Sequence, residues 1–501
     1  MASRTHDHLD LLVVGAGPTG LTAAVEARRR GLSVRVVERR ERRSPFSKAL
    51  VVHARTMEVF EGLGLAEHLT ARSARFSALN LRGVAGARGR IDLLDLDWGD
   101  TDHPHWLTLP QYETERVLED ALSALGVQVE WATRFTGVAE EDDVVAATLT
   151  GPAGTEVVRS RWLLGADGGR STVRDAIGGT LEREDAGATF ILADAQTSAS
   201  LAEDEGHLFL HPDGLLIIVP LPDPGRWRII AHAPGESPAA RTPIDAGYLD
   251  DLVRGRTGIE FGARDLGWTS RFALTHGVAD VHRRGRVFLA GDAAHVHSPV
   301  GGQGLNTGVQ DAHNLAWKLA LADRIPAEAR EDLLESYAVE RRLVAHAMVG
   351  GVRRATSLVA GRGGLARRVV GALGPRILPR TRLRLALGRP LAGLEVAYAG
   401  GPLVVKEAPG SGARLANVHL GDGSRVLSQV DPQDPTWVVR EPASDGPWGG
   451  LPLVAVPADA DLPPVTLVRP DGHIIASGDV PAAVWTIVRR SPVLLAIAGG
   501  W

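Results

Sequence analysis

A glycine-rich turn near the N-terminus constrains the fold of this chain more than any other feature. The apolar segment Leu9 to Val14 leads directly into Gly15-Ala16-Gly17-Pro18-Thr19-Gly20, and an acidic residue, Glu38, follows the next apolar segment. This G-x-G-x-x-G pattern, set between a strand and a helix, is typical of βαβ units that bind dinucleotides. The sequence therefore predicts an α/β fold with a parallel, Rossmann-like sheet.

Each glycine of this turn has its own physical task. Gly15 makes the tight turn, Gly17 lets the backbone approach a pyrophosphate, and Gly20 lets the helix pack closely on the strand. The helix N-terminus then offers free N–H groups and the positive end of its dipole to the phosphates. We expect Glu38 to close the second strand, 33–37, where its carboxylate can accept hydrogen bonds from ribose hydroxyls.

Composition excludes several classes of site. The 501-residue chain contains no cysteine, so disulfides, iron–sulfur clusters, thiolate zinc sites and cysteine nucleophiles are excluded. Its net charge of −5 gives no general attraction to nucleic acid or to a membrane surface. The chain starts with a polar segment and has no long uncharged apolar stretch, so we expect no signal peptide, no membrane span and a cytoplasmic location.

Two further strand-to-turn segments lie downstream. In the first, an apolar strand ends at Asp167-Gly168, a dipeptide that is also common in ordinary turns. In the second, the strand Val287 to Ala290 ends at Gly291-Asp292, and the glycine-rich loop Pro299 to Asn306 then leads into a helix. An aspartate at a strand end can accept a ribityl or ribose hydroxyl. The loop places N–H groups and a helix N-terminus against a flat ligand edge that gains negative charge, as a reduced flavin does at N1 and O2.

In this order, the three segments resemble the three fingerprints of class A FAD-dependent monooxygenases. The stretch from Gly285 to Ala320 is similar almost throughout to the branch of aromatic polyketide hydroxylases and rifamycin-type monooxygenases. The resemblance covers about residues 1–350, and the tail resembles the thioredoxin-like C-terminal domain of that branch. In the absence of cysteine, that domain cannot perform thiol redox chemistry, so we expect it to be structural or an interface.

The resemblance implies an α/β architecture in which an antiparallel substrate sheet is inserted into the FAD-binding domain. The strand-rich segments separated by Pro-Asp-Gly turns agree with such an insertion. The predicted units are a discontinuous FAD-binding domain at 1–75, 100–180 and 275–350, a substrate-binding domain at 76–99 and 181–274, a helical linker at 351–399 and a thioredoxin-like domain at 400–501.

The resemblance also implies a set of FAD contacts. The glycine-rich turn would hold the pyrophosphate, Glu38 the adenosine ribose, and Asp292 the region between ribityl chain and pyrophosphate. The family usually has arginine where this chain has Lys48, which supplies one point charge in place of a fork of donors. Gln111 would face the FAD or serve only as a polar helix start. The expected cofactor-binding residues are Gly15, Gly17, Thr19, Gly20, Glu38, Arg39, Lys48, Gln111, Asp167, Asp292, Pro299, Gly302, Leu305 and Asn306.

No second nucleotide-binding domain is predicted, so NADPH or NADH would dock transiently while the flavin swings between exposed and buried positions. Class A enzymes hydroxylate through a flavin C4a-hydroperoxide, and the sequence accordingly offers no catalytic triad, so no residue is assigned as catalytic. Asp167 would help to bind both FAD and the nicotinamide cofactor. The two His-x-His pairs, 103/105 and 295/297, lack carboxylates at metal-ligand spacing, so we expect no metal.

The resemblance makes hydroxylation of a polycyclic aromatic, polyketide-type natural product the leading hypothesis, with O2 as co-substrate. Baeyer–Villiger insertion or epoxidation of a similar compound, and a ligand-binding protein with a flavin fold, stay open as alternatives. The protein is expected to be a monomer or homodimer. The predicted wall residues of the substrate site, which could equally be plain core, are Phe209, His211, Ile217 and Trp227.

Overall fold

The computed structural model describes most of the chain, and within it the strands form four sheets. None of the described helices is both long enough and apolar enough to cross a membrane. The described residues, excluding the side chains of 186, 355–360 and 364–367, are 9–47, 49–75, 77–84, 86–297, 301–360, 364–380, 388–390, 392–398, 400–405, 408, 410–440 and 448–499.

The strands and helices alternate in the first part of the chain and then separate into blocks. The strands up to residue 200 are β1 (Leu9–Val14), β2 (Val34–Val37), β3 (Val51–Val52), β4 (Ala74–Arg75), β5 (Ala78–Gly83), β6 (Arg88–Asp92), β7 (Leu107–Thr108), β8 (Val129–Glu130), β9 (Arg134–Glu141), β10 (Val144–Gly151), β11 (Gly154–Gly165) and β12 (Glu184–Gln196). The strands beyond it are β13 (Glu205–His211), β14 (Gly214–Pro220), β15 (Arg226–His232), β16 (Arg264–Val278), β17 (Arg283–Arg284), β18 (Val287–Leu289), β19 (His295–Val296), β20 (Thr436–Val439), β21 (Leu453–Ala455), β22 (Val465–Val468) and β23 (Ile474–Gly478).

The described helices are α1 (Pro18–Arg29), α2 (Ala54–Gly62), α3 (Ala66–Thr70), α4 (Gln111–Ala124), α5 (Thr172–Ala176), α6 (Ala246–Thr257), α7 (Gln303–Ala322), α8 (Ala327–Ala360), α9 (Gly364–Ile377), α10 (Val426–Gln429), α11 (Pro481–Val488) and α12 (Pro492–Ile497).

The first sheet contains the predicted βαβ unit. Its strand order is β17-β18-β11-β1-β2-β8, and β9 and β10 extend it from β11. Strand β1 pairs in parallel with both β2 and β11. Its apolar run suits this central position because a strand of a parallel sheet is covered on both faces. Helices α1, α4 and α7 cover one face and form the largest apolar cluster, which confirms the predicted Rossmann-like sheet.

The second sheet is the antiparallel insertion that the sequence predicts. Its strand order is β19-β16-β12-β15-β14-β13-β5-β6, so its strands come from three separate stretches of the chain. Strands β12 to β15 pair as antiparallel neighbours, and β5 joins β13 in parallel. Helix α6 covers one face of this sheet with Leu249 and Val253, and on the opposite face Ile217 packs against the cluster that contains Leu50.

Helix α9 lies within the segment predicted to be a linker, and it packs on the second sheet. A Cβ atom added to Gly83 of β5 would collide with the carbonyl oxygen of Gly371 in α9. A Cβ atom added to Gly371 would lie 2.7 Å from the carbonyl oxygen of Leu210. The close approach of the two backbones therefore depends on glycine on both sides of the contact.

The C-terminal sheet has the strand order β21-β20-β22-β23. Strands β20 and β21 run parallel, whereas β22 is antiparallel to both β20 and β23. Numbered along the chain this is the order 2-1-3-4 with a reversed third strand, the arrangement of a thioredoxin-like core, which confirms the predicted fold of the tail. The β22–β23 turn, 469–473, contains the fully buried Arg469 and Asp471, which contact Glu340 of α8 and Asn314 of α7.

Candidate flavin site

The three predicted fingerprints meet at one edge of the first sheet. Val14 at the end of β1 pairs with Gly165 at the end of β11, and Gly165 pairs with Leu289 at the end of β18. The glycine-rich turn, the Asp167-Gly168 turn and the Gly291-Asp292 turn directly follow these residues. Ligands of open α/β sheets bind outside the carboxyl ends of the strands, so this edge is the candidate site.

The glycine-rich turn has the shape needed to hold a pyrophosphate. Gly15 has a φ of +112°, and a Cβ atom there would collide with the carbonyl oxygen of Ala166. A Cβ atom on Gly20 would collide with the carbonyl oxygen of Gly15, so the helix packs closely against the turn. A Cβ atom on Gly17 would meet no protein atom within 4 Å. Only the middle glycine therefore faces open space, which is the space that a phosphate group requires.

Helix α1 begins in this turn without a side-chain cap. Its N-cap residue is Gly17, no side chain accepts a hydrogen bond from its first turn, and Pro18 occupies the first turn. The remaining N–H groups and the helix dipole are therefore available to an anion. Thr19 is also predicted to contact the pyrophosphate. Its side chain points toward Gly291 of the third motif, because its Oγ1 would lie 2.6 Å from a Cβ atom on that glycine.

Glu38 is buried directly behind the turn. Its Oε2 accepts a hydrogen bond from the backbone N–H of Ala16 at 3.0 Å, and its Oε1 accepts one from the Arg40 Nε at 3.1 Å. Burial raises the pKa of this carboxyl, but the hydrogen bonds from Arg40 and Ala16 outweigh burial and hold the pKa below its usual value. Glu38 is thus ionised and fixed against the turn. Arg39 is exposed, whereas Arg40, which the sequence analysis did not single out, pairs with the carboxylate.

Asp167 forms the N-terminal support of helix α5. Its Oδ2 accepts hydrogen bonds from the backbone N–H groups of Thr172 at 2.7 Å and Val173 at 3.2 Å. The same short helix carries Arg174, whose Nη1 donates to the carbonyl oxygen of Ala293 at 3.0 Å. The second fingerprint therefore supports the third one through Arg174. The Asp167 Oδ2 accepts its hydrogen bonds from the backbone of its own turn.

The third fingerprint is a single 3₁₀ turn, Gly291–Ala293, held from behind by helix α7. The Oδ2 of Asp311 accepts hydrogen bonds from the Gly291 N–H at 2.9 Å and from the His295 Nε2 at 2.7 Å. Its Oδ1 accepts one from the Arg341 Nε at 2.6 Å. Burial raises the pKa of Asp311, but the charges of Arg341 and His295 outweigh it and keep the carboxyl ionised. Asp292 itself is exposed, as a residue that binds a ligand hydroxyl should be.

The N-terminus of α7 is tied to helix α2. Gly302 has a φ of +63° and precedes the helix without a side-chain cap. The Asn306 Nδ2 donates to the Val51 carbonyl oxygen at 2.9 Å, and the Asn306 Oδ1 accepts from the His53 N–H at 2.9 Å. The His53 Nε2 donates to the carbonyl oxygen of Gly301 at 2.9 Å. Burial lowers the pKa of His53 to about 4, so the imidazole is neutral near pH 7.

These features fit FAD. The open space in front of Gly17 and the uncapped N-terminus of α1 suit the pyrophosphate. The exposed Asp292 suits the ribityl hydroxyls, and the uncapped N-terminus of α7 suits the flavin edge. Lys48 and Pro299, both expected at the flavin, lie outside the described residues. Leu305 is buried in the first turn of α7 next to Asn306. Among the described residues, no group of three or more His, Asp or Glu side chains is arranged to hold a metal ion.

Comparison with known proteins decides the family. A model of the FAD binding domain matches residues 8–352. The chain belongs to the FAD-binding-domain family. It is 36% identical to a 6-methylpretetramide 4-monooxygenase from Streptomyces rimosus, over 98% of this chain and 91% of that protein. It is 31% identical to a rifampicin monooxygenase from Rhodococcus hoagii, over 95% and 97%.

A solved structure supports the same conclusion at the level of the whole fold. The anhydrotetracycline hydroxylase from Streptomyces rimosus superposes with a TM-score of 0.79 at 29% identity, covering 98% of this chain and 99% of that one. These findings confirm the predicted branch, the FAD cofactor and the general activity of the protein, which is an FAD-dependent monooxygenase.

Gln111 lies where the FAD-binding unit faces the second sheet. It begins helix α4, and its backbone N–H donates to the Ser47 Oγ at 2.7 Å. Its Nε2 donates to the Glu115 Oε1 at 2.9 Å. Burial raises the pKa of Glu115. Gln111 therefore begins helix α4 and holds Ser47 and Ala49 on either side of position 48, and its contact with FAD stays a prediction.

The four predicted wall residues of the substrate site do not share one surface. Phe209 and Trp227 belong to the apolar cluster between the second sheet and α6, on the face away from the flavin site. His211 closes the β13–β14 hairpin, where its Nδ1 accepts from the Asp213 N–H at 3.2 Å. Ile217 lies on the other face, packed against the cluster that contains Leu50 of the FAD-binding unit. Of the four, only Ile217 faces the flavin domain.

Proposed function

We propose that this monooxygenase hydroxylates a polycyclic aromatic compound of polyketide type, with NADPH or NADH as the reductant. The observation that carries the proposal is an apolar face of the second sheet that packs against Leu50, close in sequence to His53, which holds the α7 N-terminus. That face includes Ile217 on β14, Ile230 on β15 and Leu192 on β12, which lie side by side in the register of the sheet. A flat apolar wall with few polar groups suits a fused-ring ligand.

The relatives support this choice of substrate class. Those reported above are named for 6-methylpretetramide, rifampicin and anhydrotetracycline, all large aromatic polyketides. FAD, when bound, supplies the electron transfer and the activation of O2. The chain itself holds the pyrophosphate at the α1 N-terminus, fixes the α7 N-terminus through Asn306 and His53, and provides the apolar wall that excludes water from the reacting ring.

The proposal is tested with purified protein and a panel of anhydrotetracycline, rifampicin and 1-naphthol. The protein should be yellow, and each accepted compound should raise the rate of NADPH or NADH consumption together with O2 uptake. Mass spectrometry should find one added oxygen, and NMR should place it as a ring hydroxyl. A lactone or an epoxide would move the assignment to the alternative insertion chemistries. Flavin that stays oxidised with both reductants and every compound would favour a ligand-binding protein.

The remaining parts of the proposal concern the state of the protein in the cell. We propose a cytoplasmic monomer or homodimer that takes its reductant from solution. Cell fractionation tests the location, and light scattering at several protein concentrations tests the oligomeric state. A stable higher oligomer or a membrane-bound fraction would contradict this part without affecting the substrate assignment.

A further inference from the structure

The sheet face toward the flavin site contains a buried charged pair, Arg228 and Asp194. Along one row of the second sheet, Val219, Arg228, Asp194 and Trp268 are register neighbours on β14, β15, β12 and β16. The next row contains the apolar residues Ile217, Ile230 and Leu192. A planar ligand lying on the apolar row would therefore end at the charged pair.

The geometry of this pair leaves one hydrogen-bond donor open. The Arg228 Nε and Nη2 both donate to Asp194, each at 2.7 Å. The Arg228 side chain is 0% exposed and the Asp194 side chain 14% exposed. The third nitrogen, Nη1, is buried and has no hydrogen-bond partner among the described residues. A buried donor without a partner is unfavourable by about 1–3 kcal/mol, so a ligand oxygen or an ordered water that accepts from it is stabilising.

Aromatic side chains surround the pair where the two units meet. The Arg228 guanidinium lies over the Trp268 ring, 5.7 Å from its centroid. Trp268 stacks on Phe46, an exposed residue of the FAD-binding unit, with ring centroids 5.9 Å apart. Burial raises the pKa of Tyr112, next to Gln111 on α4, and the nearby carboxylates, Asp194 among them, raise it further, whereas Arg228 lowers it. The pair therefore lies beside the N-terminus of α4, where Gln111 is predicted to face the FAD.

We propose that the Arg228 Nη1 donates a hydrogen bond to an oxygen substituent of the aromatic substrate. This proposal rests on the proposed function and names the polar anchor of that site. Asp194 cancels the charge of Arg228 and fixes the plane of its guanidinium, so the open donor suits a carbonyl or phenolate oxygen. Asp194 is accordingly a positioning residue, and Arg228 is the residue that binds.

The test compares aromatic probes with and without an oxygen. Binding of 1-naphthol, 1-tetralone and naphthalene to the FAD-loaded protein is followed by the change in flavin absorbance. Wild type should prefer the two oxygenated probes. Arg228→Lys keeps the ion pair but removes Nη1, so it should weaken binding of 1-naphthol or 1-tetralone by about 10- to 100-fold and leave naphthalene unchanged. With anhydrotetracycline the variant should raise KM more than it lowers kcat.

The matched control is Arg271→Lys. Arg271 is on the same sheet, its Nε donates to Glu236 at 2.9 Å, and its Nη2 also has no partner among the described residues. It faces α6, however, and not the flavin site, so this variant should bind every probe as wild type does. Should Arg228→Lys fail to retain FAD, Asp194→Glu, which keeps both charges but shifts the guanidinium, should produce the same loss of preference.

The outcomes separate the two proposals. If wild type shows no preference for an oxygenated probe, or if both variants at the pair keep that preference, Arg228 is not the anchor. If the preference is lost but no compound of the panel is oxidised, the anchor stands and the proposed substrate class fails. Weaker binding of 1-naphthol alone identifies a phenolate ligand, and weaker binding of 1-tetralone alone identifies a carbonyl.

Discussion

The Arg469 guanidinium of the C-terminal domain forms a fully buried ion pair with Glu340 of helix α8, at distances of 2.7 and 3.0 Å. Glu340 also accepts a hydrogen bond from the Lys318 Nζ at 2.8 Å, and Lys318 belongs to α7, the helix whose N-terminus faces the flavin site. The cysteine-free tail is thus joined by buried charges to α7 and α8, as the expected structural role of the tail requires.

This contact predicts that Arg469→Met destabilises the protein by about 3–5 kcal/mol, because Glu340 and Asp471 lose their shared cation in a buried position. Urea unfolding and FAD retention after gel filtration should both report the loss. The control is Arg324→Ala, which removes a partly exposed ion pair with Asp434 between the same two units and should cost less than about 1 kcal/mol. Equal effects of the two variants would contradict the structural role of the buried pair.

The two glycines of the first turn should respond differently to a methyl group. Gly17→Ala should leave the stability of the apoprotein near that of wild type but weaken FAD binding strongly, because its Cβ meets no protein atom and occupies the space needed by the pyrophosphate. Gly15→Ala should destabilise the apoprotein, since its φ is +112° and the Ala166 carbonyl oxygen blocks the Cβ. Thermal unfolding without cofactor and FAD titration separate the two effects. A Gly17→Ala protein that binds FAD as wild type does would contradict the placement of the pyrophosphate in front of Gly17.

Asp292→Ala should weaken FAD retention about tenfold or more without changing the stability of the apoprotein. The carboxylate is exposed at the end of β18 and is the residue predicted to bind the cofactor next to the pyrophosphate. Asp251→Ala, at an exposed aspartate of α6 whose side chain is 81% accessible, is the matched control. The fraction of FAD that remains after gel filtration is the measurement, and an unchanged fraction in Asp292→Ala would argue against the assignment.

His53 predicts a pH dependence. Burial lowers its pKa from 6.5 to about 4, so between these values the unfolded chain binds a proton that the folded protein does not. Stability therefore falls as pH drops from about 6.5 to about 4, by about 3 kcal/mol from this group. In His53→Gln, the free energy of unfolding should change less steeply with pH in this window. The difference from wild type should correspond to at most one proton taken up on unfolding. A slope equal to that of wild type would show that His53 does not titrate this way.

The first turn could be predicted from sequence because the residues that form it all lie within one βαβ unit. Gly15, Gly17, Gly20 and Glu38 are separated by a single helix, and spacing alone fixes their relation. Asp311 could not be found in this way, since its tasks are to hold Gly291, His295 and Arg341, which lie on other elements. Its only sequence signal is an acidic residue on the apolar face of a predicted helix.

The second sheet shows most clearly what the sequence predicts and what only the structure reveals. Alternation along β13, β14 and β15 predicts two sets of side chains but not which set faces the flavin, so Phe209 and Ile217 were indistinguishable candidates. In the assembled sheet Ile217 points toward Leu50, whereas Phe209 points toward α6, so only the structure shows which set of side chains faces the flavin site. The antiparallel register brings Arg228 and Asp194 together across 34 residues of chain.

The amino-acid sequence by itself determined the family and the dinucleotide turn, because glycine spacing and hydrophobic periodicity act over short stretches of chain. Only the tertiary structure decided which buried charges meet, which face of the second sheet looks at the flavin, and how the tail is anchored. Those contacts join residues that are distant in the chain, and their energies depend on burial and geometry that exist only after the sheets have assembled.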